Sequence, residues 1–252
     1  MNIIGRYESA VLVSDNHGQQ ANTATVKKLY GFVEDFKPDK IFHLGDNRDL
    51  SSIRKAAAPG EACQSMLEDI AGKEFIEKLR PNVFINGNHD VRMYELAESG
   101  NGIGSDFAKL QIAEWEQLYK TLKIDVLPYH PFKGIYQWGS ALLTHGMDSG
   151  NLPAHFRAFL KNTSFRNWDM LVTGHGHKRQ QLFNCANTHA TAHMLSCLIK
   201  KDQAYMRHYL GMNFWTTGWG VGLRNKKTNK TWILHTEEDG ENNFVVPQFG
   251  MV

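Results

Sequence analysis

Along this chain short apolar runs alternate with polar loops and with segments of helical periodicity. Ser9 to Ser14 is a β-branched, apolar run that ends in the turn signal Asp15-Asn16-His17-Gly18. Thr23 to Phe36 then places Val26, Leu29, Tyr30 and Val33 at helical spacing and is stopped by Pro38. Ile41 to Leu44 runs into Gly45-Asp46-Asn47-Arg48-Asp49, and Glu61 to Leu79 carries Met66, Leu67, Ile70, Phe75, Ile76 and Leu79 in a helical pattern. Val83 to Ile85 ends in Asn86-Gly87-Asn88-His89-Asp90. Strand, polar loop and helix recur three times, which predicts a layered α/β domain with its reactive loops at the carboxyl ends of the strands.

The second half continues less regularly. A helix is expected over Ser105 to Leu122, a strand over Ile124 to Leu127, and a hairpin from Gly134-Ile135-Tyr136 to Ala141-Thr144 that ends at His145. Asn151 to Leu160 reads as helical, and Met170 to Thr173 is a short apolar run closing in Gly174-His175-Gly176-His177. Strand signals follow at His193 to Ile199, Asn213 to Thr217, Gly220 to Leu223, Trp232 to His235 and Phe244 to Val246. No linker, repeat or low-complexity tract interrupts the chain, so one domain over residues 1–252 is expected.

Composition narrows the class. With 252 residues, 42% of them hydrophobic, and a formal net charge of +2, the chain is long enough for a substantial core and lacks the signature of disorder. No run approaches the roughly 18 apolar residues of a membrane span, and nothing at the N-terminus resembles a secretion signal. Cys63, Cys185 and Cys197 are odd in number and widely spaced, which suits a reducing cytoplasm. Near-neutral charge gives no global pull toward nucleic acid or anionic membrane. Histidine is the unusual count, at 12.

Five strand ends deliver the same kinds of side chain: Asp15 and His17; Asp46 and Asp49; Asn88, His89 and Asp90; His145; His175 and His177. Imidazole nitrogens mixed with carboxylate and amide oxygens suit first-row divalent ions, and they are too many for one ion. A pair of ions roughly 3.5 to 4 Å apart could use most of them, an arrangement common in phosphoryl hydrolysis.

Asp15-x-His17, Gly45-Asp46-x-x-Asp49, Gly87-Asn88-His89-Asp90, His145 and Gly174-His175-x-His177, in this order, resemble the motif series of the calcineurin-like metallophosphoesterase superfamily, in particular its small phage and bacterial members without a large accessory domain. The resemblance implies a four-layer α-β-β-α sandwich with two mixed sheets. It implies that Asp15, His17 and His177 hold one metal, that Asn88, His145 and His175 hold the other, and that Asp46 bridges them. The ions would be manganese first, with iron, zinc or nickel as alternatives. His89 would then be the general acid or phosphate contact, oriented by Asp49, and a hydroxide shared by the ions would attack phosphorus in line. Gly18, Gly45, Gly87 and Gly174 are expected at turns needing positive φ or close backbone approach.

The chain departs from the family's protein Ser/Thr phosphatases at Leu50, where those enzymes carry a phosphate-gripping arginine. A phosphodiester, either nucleic acid or nucleotide, is therefore the first expectation for substrate, a broad phosphomonoester the second, and a catalytically silent metal-bound scaffold the third. Arg48, Arg54 and Arg92 are the candidate phosphate contacts. The basic segment Arg224 to Lys230 reads as a solvated hairpin turn or, alternatively, as a nucleic-acid contact. Phe214, Trp215 and Trp219 could stack on bases or fill the core. Cys185, His189, His193 and Cys197 recur every fourth residue, but on one helix the outer two would lie roughly 18 Å apart, too far for one zinc site. No oligomeric state is readable.

Overall fold

The computed structural model describes residues 4–53, 65–100, 102–147, 152–160, 165–183, 189–200, 215–238 and 244–245. Two mixed sheets are stacked face to face with helices outside. The first has the order β11-β10-β1-β2-β3-β4. In it β1 (Tyr7–Val13), β2 (Lys40–His43), β3 (Val83–Ile85) and β4 (Asp125–Leu127) run parallel, while β10 (Gly220–Asn225) pairs antiparallel with β1, and β11 (Thr231–His235) antiparallel with β10. The second has the order β5-β6-β7-β9-β8. Its parallel centre is β6 (Ala141–Thr144), β7 (Met170–Thr173) and β9 (Thr191–Met194), edged by antiparallel β5 (Tyr136–Trp138) and β8 (Gln180–Leu182). A short pair, β12 (Glu237–Glu238) and β13 (Phe244–Val245), lies apart.

Three apolar clusters follow from the strand alternation. Val11, Val13, Ile41 and Phe84 face α1 (Thr23–Phe36), α2 (Ser65–Leu79) and α4 (Gly102–Leu122), where they meet Leu29, Phe75, Ile76, Trp115 and Tyr119. The alternate residues Ala10, Leu12, Phe42, Val83 and Ile85 meet Ala141, Leu143, Met170 and Val172 between the sheets. On the far side of the second sheet, Leu142, Leu171 and Ala192 pack on Leu152, Phe156 and Phe159 of α5 (Leu152–Leu160). Period-two patterning therefore buries both faces of each central strand and produces the expected α-β-β-α layers.

Most elements match the apolar pattern. The helix expected over Thr23 to Phe36 forms over those residues, its N-terminus capped by Asn22 Oδ1, which accepts from the amides of Ala24 and Thr25. Three features differ. The expected strand His193 to Ile199 ends at Met194, because Leu195 enters the inter-sheet core while Leu198 enters the core under α1 and α2, so the chain must leave the sheet between them. Strand β8 begins with two glutamines and gives no alternation to read. A helix α3 (Arg92–Glu98) was not foreseen in the short polar stretch after Asp90. The starts of the helices expected from Glu61 and Asn151, Val246, and the Asn213-Phe214 start of the strand expected to Thr217 lie outside the described residues. The described part of that strand, Trp215 to Thr217, makes only an isolated bridge from Thr217 to Cys197. No helix of the described residues is long and apolar enough to cross a membrane.

Candidate metal centre

The carboxyl ends of β1, β2 and β3 in one sheet and of β6 and β7 in the other open onto the same place, and the intervening loops are stitched together by main-chain bonds. Asp15 N donates to Gly45 O, His17 N to Asp46 O and Gly18 N to Asn47 O, at 2.9, 3.0 and 2.7 Å. The tightness of this stitching explains two glycines. Gly45 has φ +97 and a Cβ there would meet His145 Nδ1 at 2.6 Å, while a Cβ at Gly87 would fall on the Asp46 carboxylate. Gly87 therefore answers to close approach alone, and so does Gly174 against Ser14, with no positive φ at either.

Much of the positive φ is carried instead by the polar residues: Asp15, His17, Asp46, His175 and His177 lie between 49° and 68°. Left-handed backbone at non-glycine residues costs of order 1–3 kcal/mol each and persists where the surroundings impose it. Here it turns successive side chains back into one volume.

Two groups of donors fill that volume. Asp15, His17 and His177 form one, Asp46, His145 and His175 the other, each with its nearest ligand-type atoms within 4.8 Å of one another; His17, Asp46 and His89 form a third, overlapping set. His17 Nε2 lies 3.2 Å from His177 Nε2, and His145 Nε2 lies 3.2 Å from His175 Nδ1, 3.0 Å from Asn88 Oδ1 and 3.3 Å from Asp46 Oδ2. Asp46 Oδ2 is also 3.8 Å from His17 Nε2, so this carboxylate touches both groups. Asp15 Oδ1 is buried and faces His177 Nε2 at 3.3 Å and His17 Nε2 at 4.0 Å, while Oδ2 accepts the amide of His175. A buried carboxylate oxygen that meets only inward-turned imidazole nitrogens is part of a donor set that fits a divalent cation.

The tautomers are set from behind. His145 Nδ1–H donates to Leu44 O at 2.7 Å and His17 Nδ1–H to Asp49 Oδ1 at 3.0 Å, leaving both Nε2 lone pairs turned inward. Asp49 Oδ1 also lies 3.0 Å from His89 Nδ1, so one carboxylate orients a member of the first donor group and the imidazole at the rim. Asp15, His17, Asp46, Asp49 and His145 are buried, whereas Asn88, His89, His175 and His177 are half-buried and border solvent.

Electrostatics follow the carboxylates. Burial opposes charging His17 and His145, but the Asp49 hydrogen bond with Asp46 and Asp15 lifts the first to about 9, and Asp46 lifts the second to about 9. Burial likewise opposes ionising Asp15, Asp46 and Asp49, yet His177 holds Asp15, His145 holds Asp46 and His17 holds Asp49 below the usual carboxylate range. His175 is pushed down to about 4 by burial and by His145. Protons thus sit on imidazoles beside the carboxylates, where cations would displace them.

Some expectations find no place here. Arg48 does not reach the cleft: it is 3% exposed, its guanidinium lies 4.5 Å over the Trp115 ring, and it pairs with Asp69 at 3.3 Å. Arg92 does, with NH2 3.4 Å from His89 Nε2 and NH1 donating to Asp49 O. Leu50 is buried against Met93 and Ala108. The basic turn after β10 lies at the wrong end. Asn225 pairs with Tyr7 at the start of β1, five residues or roughly 17 Å from the Leu12 end that leads to Asp15, and its Arg224 and Lys230 are paired with Glu8 and Asp169. Arg54, Phe214 and Cys185 lie outside the described residues; Trp219 fills the core, and His193 and Cys197 form no donor cluster among the described residues.

Two residues to which the sequence assigns no role contribute. Asp90 is buried and accepts from the amides of Asp46 and Gly87 at 2.8 and 2.9 Å, fixing the Asp46 turn. His43 donates to Asn16 Oδ1 at 2.8 Å and accepts from Gly45 N, with Asn16 in turn bonded to Asn47. Only the side-chain type of Asp90, an acid directly after a ligand-like pair, signals its use.

A model of the calcineurin-like phosphoesterase family matches residues 9–198. Among solved structures the chain is similar to vacuolar protein sorting 29 from Cryptosporidium parvum, at 13% identity and TM-score 0.51, covering 97% of this chain and 99% of that one. A hypothetical protein from Pyrococcus horikoshii follows at 12% identity and TM-score 0.48, covering 92% and 89%, and the phosphoesterase Yfce from E. coli at 15% identity and TM-score 0.39, covering 86% and 91%. The first likeness is one of fold. No curated protein matches the chain.

Proposed function

The chain belongs to the calcineurin-like phosphoesterase family, and from that premise we propose that it hydrolyses phosphate esters with two divalent cations, one held by Asp15, His17 and His177, the other by Asn88, His145 and His175, with Asp46 shared. The observation that carries this reading is the pair of donor groups, Asp15, His17 and His177 and Asp46, His145 and His175, each converging within 4.8 Å, with Asp46 Oδ2 reaching both. When bound, such cations polarise a phosphoryl oxygen and make water a usable nucleophile near neutral pH. Manganese is the first choice of ion, in keeping with a mixed nitrogen and oxygen donor set.

His89 stands at the rim with Nδ1 against Asp49 and Nε2 3.9 Å from Asp46 Oδ2. Asp49 fixes the ring through Nδ1, so Nε2 is the atom turned toward the leaving oxygen as proton donor. Arg92, held by Asp49 O, offers its guanidinium beside that nitrogen to a phosphate oxygen.

Substrate follows from charge. A phosphodiester carries one negative charge and a monoester carries two near neutral pH, and Leu50, buried against Met93 and Ala108, supplies no second guanidinium for a dianion. Phosphodiesters, whether nucleotide or nucleic acid, are therefore the preferred class.

Turnover of bis(4-nitrophenyl) phosphate and 4-nitrophenyl phosphate should be compared with Mn²⁺ in native, metal-stripped and His89→Ala protein. Diester preference, loss of turnover on stripping, and a fall of roughly 10²- to 10⁴-fold in kcat for the variant with metal content retained are expected. Undiminished turnover in stripped protein would overturn the metal reading, and a strong monoester preference the diester one.

A further inference from the structure

The rings of the centre stand in two edge-to-face series. In order of contact, one series runs His89, His17, His177 and Trp215, with centroid separations of 4.6, 5.1 and 4.5 Å and interplanar angles of 86°, 80° and 74°. The other runs Tyr129, His145, His175 and His155. In the first series Trp215 and His89 occupy opposite ends, with the two imidazoles proposed for one cation between them.

Trp215 is half-buried and its segment is pinned to the centre. The neighbouring Thr216 N donates to His177 O at 2.9 Å, and Cys197 N donates to Thr216 O at 3.0 Å. An indole this close to a ligand-type imidazole, with part of its surface facing solvent, is a flat apolar wall beside a polar cleft. Burying a planar ring against it removes apolar surface from water and adds the offset-stacking preference of aromatic pairs.

We propose that Trp215 is a specificity-determining residue that stacks on the retained substituent of a phosphodiester, so that the preferred substrates carry a planar ring, such as a nucleobase, on the side of phosphorus that does not leave. This rests on the phosphoesterase reading above and deepens it. The leaving oxygen must face its proton donor, His89. The retained substituent diverges from that direction, and Trp215 is the aromatic group at the other end of the series. Tyr129 flanks the second donor group and is a wall of the same kind, but it contacts His145, which is buried, rather than a rim residue.

The test holds the leaving group constant. Thymidine 5′-(4-nitrophenyl phosphate) and methyl 4-nitrophenyl phosphate both release 4-nitrophenolate and differ only in the retained group. The wild-type ratio of kcat/KM should favour the thymidine ester. Trp215→Leu, which keeps an apolar side chain against His177, should lower that ratio by roughly tenfold, the loss of one stacked base, and Trp215→Phe should restore most of it. A residue that merely packs His177 in place would instead lower both esters equally and reduce metal content, and that result, or an unchanged ratio in Trp215→Leu, overturns the proposal.

If the wild type turns over neither ester, the phosphoesterase reading has failed, and binding then decides the Trp215 assignment. Thymidine 5′-monophosphate binding more tightly than methyl phosphate by calorimetry, with the advantage lost in Trp215→Leu, supports it; equal affinity in the wild type sinks it.

Discussion

Two buried groups of histidine occupy this molecule and behave in opposite ways. At the strand ends His17 and His145 are lifted to about 9. His193 on β9 and His235 on β11 form a pair with Nδ1 3.2 Å from Nε2, the rings near parallel at 16°, and both are held down, to about 3 and about 4. Burial pushes all four the same way. What differs is the company: the first group faces Asp15, Asp46 and Asp49, whereas the charged neighbour that bears on His235 is the cation Arg179. A histidine cluster becomes a cation site through its carboxylates, and without them it is a neutral hydrogen-bonded element of the core.

The strongest way to break that contrast is to remove a shared carboxylate. Outer-shell partners of a metal are worth roughly 10- to 100-fold in affinity, so Asp46→Asn, which touches both donor groups directly, is expected to cost at least about 100-fold in Mn²⁺ affinity, read by calorimetry on refolded, metal-free protein. Retained affinity would show that the imidazoles suffice and that the contrast is mistaken.

A smaller effect concerns the pair. Because His193 and His235 are held below the ordinary value, the unfolded chain takes up protons first as pH falls through about 6.5. Stability therefore declines from there toward pH 3 to 4, by up to about 2 kcal/mol per histidine at pH 5. Denaturant midpoints at pH 7 and pH 5 measure this, and His193→Asn should flatten the difference. The smallest effect is expected for metal stoichiometry in that same variant, which should match the wild type; a lost equivalent would mean that the pair, too, holds an ion.

The same distinction separates what was legible in the sequence from what was not. Regular β/α alternation and the apolar pattern of Ser9 to Ser14, Ile41 to Leu44 and Met170 to Thr173 were enough to predict a layered α/β domain with its loops at the carboxyl ends of the strands, since strand direction decides where loops emerge. The four-layer arrangement came only with the family resemblance. Which charged groups stay paired was not legible. Arg48 sits one residue from Asp49 in the chain, yet its guanidinium turns to Trp115 and Asp69, and of the basic segment Arg224 to Lys230, Arg224 pairs with Glu8 and Asn229 and Lys230 with Asp169. Those outcomes depend on α2, α4, β1 and the residue before β7 arriving from elsewhere. The turn of the chain at Leu195 was hidden for a similar reason, because an apolar run does not say which of two cores each residue enters.

The left-handed backbone at Asp15, His17, Asp46, His175 and His177 narrows the alphabet available to those positions. Asp, Asn and His are the non-glycine residues that tolerate that conformation best, and they are also the oxygen and nitrogen donors a divalent ion accepts. Backbone and ligand chemistry thus select the same few letters, so drift at these positions is confined to exchanges among them. A glutamate in place of Asp46 keeps the charge yet meets resistance twice, from its reach and from its main chain.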